Sequence, residues 1–139
     1  MEISVVRKRL TETIDRAKKQ AAERRGRSDQ ASNEFDVFLH KIAVPLFRQV
    51  ANALKADGYG FTVFTPSGSV RLMSDRSAED YIEITLDTGN DPARVMGQTS
   101  RNRGGRVIDA ERAIGTPAAL TEEDVLEFLL KELEAFVDR

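Results

Sequence analysis

The chain predicts an α+β domain: two N-terminal helices, a four- or five-stranded antiparallel meander, and a C-terminal helix packed on the sheet. Three observations lead there. Apolar residues recur at helical spacing through the first 57 positions. Short β-branched and aromatic runs, separated by Gly, Pro and Asn turns, fill the middle, and the strictest alternation is Ile82-Glu83-Ile84-Thr85-Leu86. A second helical stripe then follows Thr121. The periods change from 3.6 to 2 and back, which is how local patterning separates helices from half-buried strands.

The first helix runs to about Arg25. Ile3, Val6, Leu10, Ile14, Ala17 and Ala21 fall within a stripe only about 80° wide at 100° per residue. So narrow a seam suits a coiled-coil-like contact better than burial inside a globule. The stretch Gly26 to Ser32 reads as a break, with a continuous long helix as the alternative, since Gly26 alone costs a helix only about 1 kcal/mol. Residues 1–27 are therefore expected to form a projecting or oligomerising helix attached to a single domain that spans 1–139.

The second helix, about Ser32 to Asp57, is apolar on two sides. Phe35, Phe38, Leu39, Ile42, Leu46, Val50 and Ala53 form one face; Val37, Val44, Phe47 and Ala51 form another. Such a helix is expected between two layers. Pro45 removes a backbone donor and its ring crowds the preceding turn, so a distortion is expected between Lys41 and Pro45. Gly58 suits the helix end.

Strands are expected at Phe61–Thr65, Ser69–Met73, Tyr81–Leu86 and Ala93–Ser100, with Ile82, Ile84 and Leu86 inward and Glu83 and Thr85 facing water. A fifth strand is one alternative at Arg106–Ile108, with extension toward Ala113 left open; the other is a loop. Short loops favour sequential neighbours, hence a meander. Thr121-Glu122-Glu123-Asp124 opens the last helix with a capping-box-like pattern. Val125, Leu126, Leu129, Leu130, Leu133, Phe136 and Val137 are expected against the sheet, with Phe128 turned away.

Composition narrows the function classes. The 139 residues are 40% hydrophobic and 32% charged, with a net charge of −2, which suits one globular domain. That bland total hides polarity. Residues 1–27 hold nine basic and four acidic side chains, whereas residues 109–139 hold three basic and nine acidic. There is no cysteine and a single histidine, so disulfides, thiolate sites and Cys nucleophiles are excluded for this chain alone, and a Ser-His nucleophile is not expected. No segment has a signal-peptide or membrane-span pattern, and a cytoplasmic location is expected. No cofactor and no metal site is expected.

Few residues suggest chemistry. His40, beside the Val44/Phe47 stripe, reads as a packed or interface histidine rather than a catalytic one. Glu79 and Asp80 read as loop and strand-start residues. Arg101, Arg103 and Arg106 lie at a predicted hairpin tip, where guanidinium groups can reach phosphates. The basic residues of the first helix spread around it, and two meet acids at i,i+4, Glu12 with Arg16 and Asp15 with Lys19, so it reads as a solvated, salt-bridged helix. Glu123, Asp124, Glu127, Glu134 and Asp138 share an arc of about 100° on the last helix, a solvated outer face or a docking face for a basic partner.

No family's motif residues can be quoted from this chain. At the level of element order alone, it is similar to small bacterial adaptor and chaperone-like domains, a likeness that carries no site. The expected function is a non-catalytic interaction or assembly module. It is expected to form a homodimer through Ile3, Val6, Leu10, Ile14, Val37, Val44 and Phe47, and to meet a further protein partner whose identity the residues do not specify. The alternative is a nucleic-acid-binding protein that uses the basic N-terminal helix and the Arg101–Arg106 loop. A small enzyme is less favoured.

Overall fold

The computed structural model describes residues 1–137. The chain folds as α1 (Ile3–Phe38), a π-helical turn (Leu39–Ala43), α2 (Val44–Ala56), five strands and α3 (Glu122–Val137). The strands are β1 (Phe61–Phe64), β2 (Val70–Ser74), β3 (Tyr81–Asp87), β4 (Arg94–Arg103) and β5 (Arg106–Gly115). They pair antiparallel in sequence order, β1-β2-β3-β4-β5. The α+β class and the meander are as the patterning predicts, with the fifth strand paired along its length.

The expected break at Gly26–Ser32 is absent. Helix runs unbroken from Ile3 to Ala56, about 80 Å at 1.5 Å per residue. Gly26 has nothing within 4 Å of where a Cβ would sit, so its only penalty is conformational, and one such residue does not end a long helix. Neighbouring contacts offset it: Arg27 is tied to Asp91, and Gln30 Nε2 donates to Glu34 Oε1 at 3.0 Å.

The disturbance expected before Pro45 takes the form of the π turn, in which the Val44 N–H bonds to the Leu39 carbonyl. That i to i+5 step inserts one residue into the helical repeat. It also explains the two apolar faces. The buried stripe passes from Phe35, Phe38 and Leu39 to Ala43, Val44, Phe47 and Ala51, one face of the helix re-phased at the insertion. No second layer is needed to cover α2.

Both α2 and α3 lie on one side of the sheet. Phe61, Val70, Leu72, Ile82, Ile84 and Val95 point toward them and join one core with Phe47, Val125, Leu129, Leu133 and Phe136. Phe128, expected outward, is buried, and its ring occupies the space left by the missing side chain of Gly97: a Cβ there would stand 2.4 Å from Phe128 Cε1. The stripe of α3 is thus rotated, leaving Leu130 55% exposed. Thr121 and Asp124 form the N-terminal box, Thr121 N–H donating to Asp124 Oδ2 at 3.0 Å and Asp124 N–H to Thr121 Oγ1 at 3.2 Å.

The opposite sheet face carries Thr62, Phe64, Arg71, Met73, Tyr81, Glu83, Met96 and Gln98, as the strand register requires. Glu83, expected in water, is only 7% exposed. It accepts from Arg71 Nη2 at 3.2 Å and from Ser69 Oγ at 3.2 Å, and the Arg71 guanidinium lies 4.0 Å from the centre of the Tyr81 ring. Among the described residues, no helix is long and apolar enough to cross a membrane.

Candidate interaction site

The fold leaves an apolar stripe bare along the N-terminal part of α1. Residues 1–20 are all exposed. Ile3 is 76% exposed, Val6 47%, Leu10 56% and Ile14 43%. Contact with the rest of the chain starts at Ala21 and continues through Ser28, Ala31 and Glu34 to the buried Phe35. At 100° per residue, Leu10, Ile14 and Ala17 lie on the same face as Ala21, Ser28 and Phe35. One stripe therefore does two things: its C-terminal half packs on the body, and its N-terminal half overhangs solvent.

Where helix meets body, Arg27 donates twice to the carboxylate of Asp91 in the β3–β4 loop, Nε to Oδ2 at 3.0 Å and Nη2 to Oδ2 at 2.7 Å, with a further Nε contact to Oδ1 at 3.2 Å. Hydrogen bonding to Arg27 holds the Asp91 carboxyl below its ordinary range, and the same contact raises Arg27. Beside this tie lies a groove of about 660 Å³ between α1 and the loops at 88–93 and 116–118. Its walls mix Ala21, Ala31, Pro92 and Pro117 with Arg24 and Arg25. A more apolar groove of about 500 Å³ continues past Val37, Ile42 and Leu120.

The expected interface residues divide accordingly. Ile3, Val6, Leu10 and Ile14 lie together on the free stripe, and Val37 is 52% exposed beside the second groove. Val44 and Phe47 do not belong with them. Both are buried against the chain's own sheet, because the π turn rotates them onto the core face. His40 is not packed either. It is exposed, with Nδ1 2.8 Å from the Asp36 carbonyl oxygen and 3.4 Å from Asp36 Oδ1.

The arginine tip is a tight hairpin. Arg103 pairs with Arg106 across Gly104 and Gly105, whose φ values of 58° and 80° are those of a two-residue type I′ turn. Arg101 and Arg103 alternate onto one face of β4, and Arg106 joins them from β5. None of the three forms an ion pair among the described residues. The tip is held from behind. Asn102 N–H donates to Asp80 Oδ1 at 2.7 Å, its side chain donates to Glu79, and Gly105 N–H donates to Asn102 Oδ1 at 3.1 Å. That gives Glu79 and Asp80 a structural role that sequence spacing does not reveal.

The acidic face of α3 is thinner than its residue count implies. Glu123, Glu127 and Glu134 are exposed, but Asp124 is engaged in the helix cap, and Asp138 lies outside the described residues. The Thr121 backbone N–H, and secondarily its hydroxyl, hold the Asp124 carboxyl below its ordinary range. Glu132, which belongs to no expected site, pairs with Arg112 at 3.2 Å. Among the described residues, no group of three or more His, Asp or Glu is placed to hold a metal ion.

Comparisons with family models, with curated proteins and with solved structures find no match to this chain. What the site means rests on its own geometry.

Proposed function

We propose that this chain is a non-catalytic assembly module that self-associates through the N-terminal part of α1. One observation carries the reading: four large aliphatic side chains line one stripe of a helix segment whose residues are all exposed. Helices in water draw most of their stability from packing an apolar face, and the body of this protein does not supply that packing before Ala21. A second copy supplies it with the same narrow seam.

The strength follows from the residues. Pairing two copies removes eight half-exposed aliphatic side chains from water, at about 1 kcal/mol each for the part of full burial still to be gained. Set against the loss of translational and rotational freedom, that gives a weak, concentration-dependent dimer, micromolar at best. An adaptor-like role fits such an association, because small changes in local concentration shift it. Sedimentation equilibrium over a wide concentration range tests the reading: the account expects the mass to rise from one chain toward two.

A second reading has its own observation, the three co-facial arginines at the β4–β5 tip. It expects salt-sensitive binding of DNA or RNA, weakened for all sequences alike by Arg101→Ala and Arg103→Ala. Absence of binding at low salt removes it.

A further inference from the structure

We infer that two copies pair through α1 antiparallel, in a register that brings Ile3 opposite the partner's Ala21, with Glu2 delivered to the partner's Arg24 at the mouth of the groove. This rests on the self-association proposed above and adds its direction, register and end contacts.

Direction follows from where the body sits. The free seam and the body-packing residues Ala21, Ser28 and Phe35 lie on one helical face, so each body stands on the seam side of its own helix. Parallel pairing would put both bodies between the helices at the same level, where they collide. Antiparallel pairing places them at opposite ends, each beyond the start of the partner's helix.

Register follows from length and size. Helix begins at Ile3, with Glu2 extended at the N-cap, and contact with the body begins at Ala21. An overlap that uses the whole free stripe without striking the body sets Ile3 against Ala21. The same alignment sets Leu10 against Ile14 and brings Val6 within one residue, about 1.5 Å along the axis, of Ala17. A branched side chain faces an alanine at both ends, and Leu10 meets Ile14 near the centre, so the facing layers fill space without two large pairs at the ends. No other antiparallel pairing of this stripe uses all six positions.

Charge marks the two flanks. On one, Glu2 falls beside the partner's Gln20 and Arg24. Arg24 and Arg25 line the groove, and neither forms an ion pair among the described residues, since Asp91 is taken by Arg27. On the other flank, Arg7 meets the partner's Lys18, a like-charged pair repeated twice by symmetry. That repulsion keeps the association weak and makes it adjustable.

The absence of cysteine makes the test direct. Val6→Cys and Ala17→Cys variants are oxidised separately and as a mixture. In the inferred register, two copies of position 6 are about 18 Å apart along the helix, beyond the 4.4–6.8 Å that a disulfide spans, whereas positions 6 and 17 lie on facing seams within about 1.5 Å along the axis. The expected result is cross-linking at least tenfold greater in the mixture than in either variant alone. Efficient 6–6 and 17–17 linkage would leave self-association standing but overturn the antiparallel register. No linkage in any sample, together with a monomer in sedimentation, would overturn both. As a second variant, Lys18→Glu turns two repulsive contacts with Arg7 into attractive ones and is expected to tighten the dimer about fivefold at low salt. An unchanged or weaker dimer overturns the register.

Discussion

Arg27 and Asp91 form a bidentate ion pair that joins α1 to the β3–β4 loop, with a shortest contact of 2.7 Å. It stands within two turns of Ala21, the point where the helix leaves the body. Both side chains are about half exposed, so solvent screens the pair, and its effect on global stability is small. Its importance is local, because it sets where the supported part of the helix begins.

Arg27→Ala is therefore expected to leave the thermal midpoint nearly unchanged. Amide hydrogen exchange at positions 22–30 is expected to quicken, because local opening no longer has to break the tie. Equal slowing or no change in those amides would contradict the role given to the pair.

The Phe128 ring seated on Gly97 predicts a sharper cost. Gly97→Ala puts a methyl 2.4 Å from Phe128 Cε1 and is expected to destabilise the chain by about 1–3 kcal/mol through overpacking. Introduced into a Phe128→Leu background, the same change costs less, since the two residues share one space. Additive losses in denaturant titrations of this double-mutant cycle would sink the packing account.

Arg71 and Glu83 predict an asymmetry. Arg71→Ala leaves the Glu83 carboxylate among its sheet neighbours without its cationic partner, at about 2 kcal/mol after allowing for the partial exposure of Arg71. Glu83→Gln is expected to cost less, because the Arg71 side chain is already partly exposed and its head can turn to water. Chemical denaturation of both variants checks the order; the reverse order contradicts it.

Acid sensitivity follows from Asp124 and Asp91. Both carboxyls lie below their ordinary 3.8 in the folded chain, so the unfolded chain takes up protons first as pH falls. Their stabilising contribution is complete above that ordinary value. It is lost as pH drops through the lower folded values. Thermal midpoints are thus expected to fall with acidification below about pH 4, and Asp124→Asn is expected to flatten that fall. An unchanged slope for Asp124→Asn would show that the cap is not linked to the proton.

Much of this was legible in local patterning. The alternation of Ile82, Ile84 and Leu86 fixed β3 against the core, and Thr121 with Asp124 marked the start of α3, because both depend on near neighbours. What escaped depended on atoms far away in sequence. Phe128 is inward only because Gly97, on another element, makes room. Glu83 is buried only because Ser69 and Arg71 sit across the ladder from it. The two-faced second helix misled for a different reason: a π turn changes phase within a helix, and a wheel drawn at a constant 100° assigns Val44 and Phe47 to the wrong side. On α1 the stripe of Ile3, Val6, Leu10 and Ile14 was readable from spacing alone, whereas the absence of anything covering it became apparent only in the fold.

The central claim is that this bare stripe is covered by a second copy of the chain. Sedimentation velocity of the full chain, from low micromolar to several hundred micromolar, tests it most directly beside a Leu10→Glu/Ile14→Glu variant. Both changes lie on exposed helix, so the variant is expected to keep the parent's fold by circular dichroism. The account predicts a parent chain that shifts from monomer to dimer with concentration and a variant that stays monomeric throughout. A parent chain that remains monomeric at the highest concentration, or a variant that dimerises as well as the parent, would contradict it.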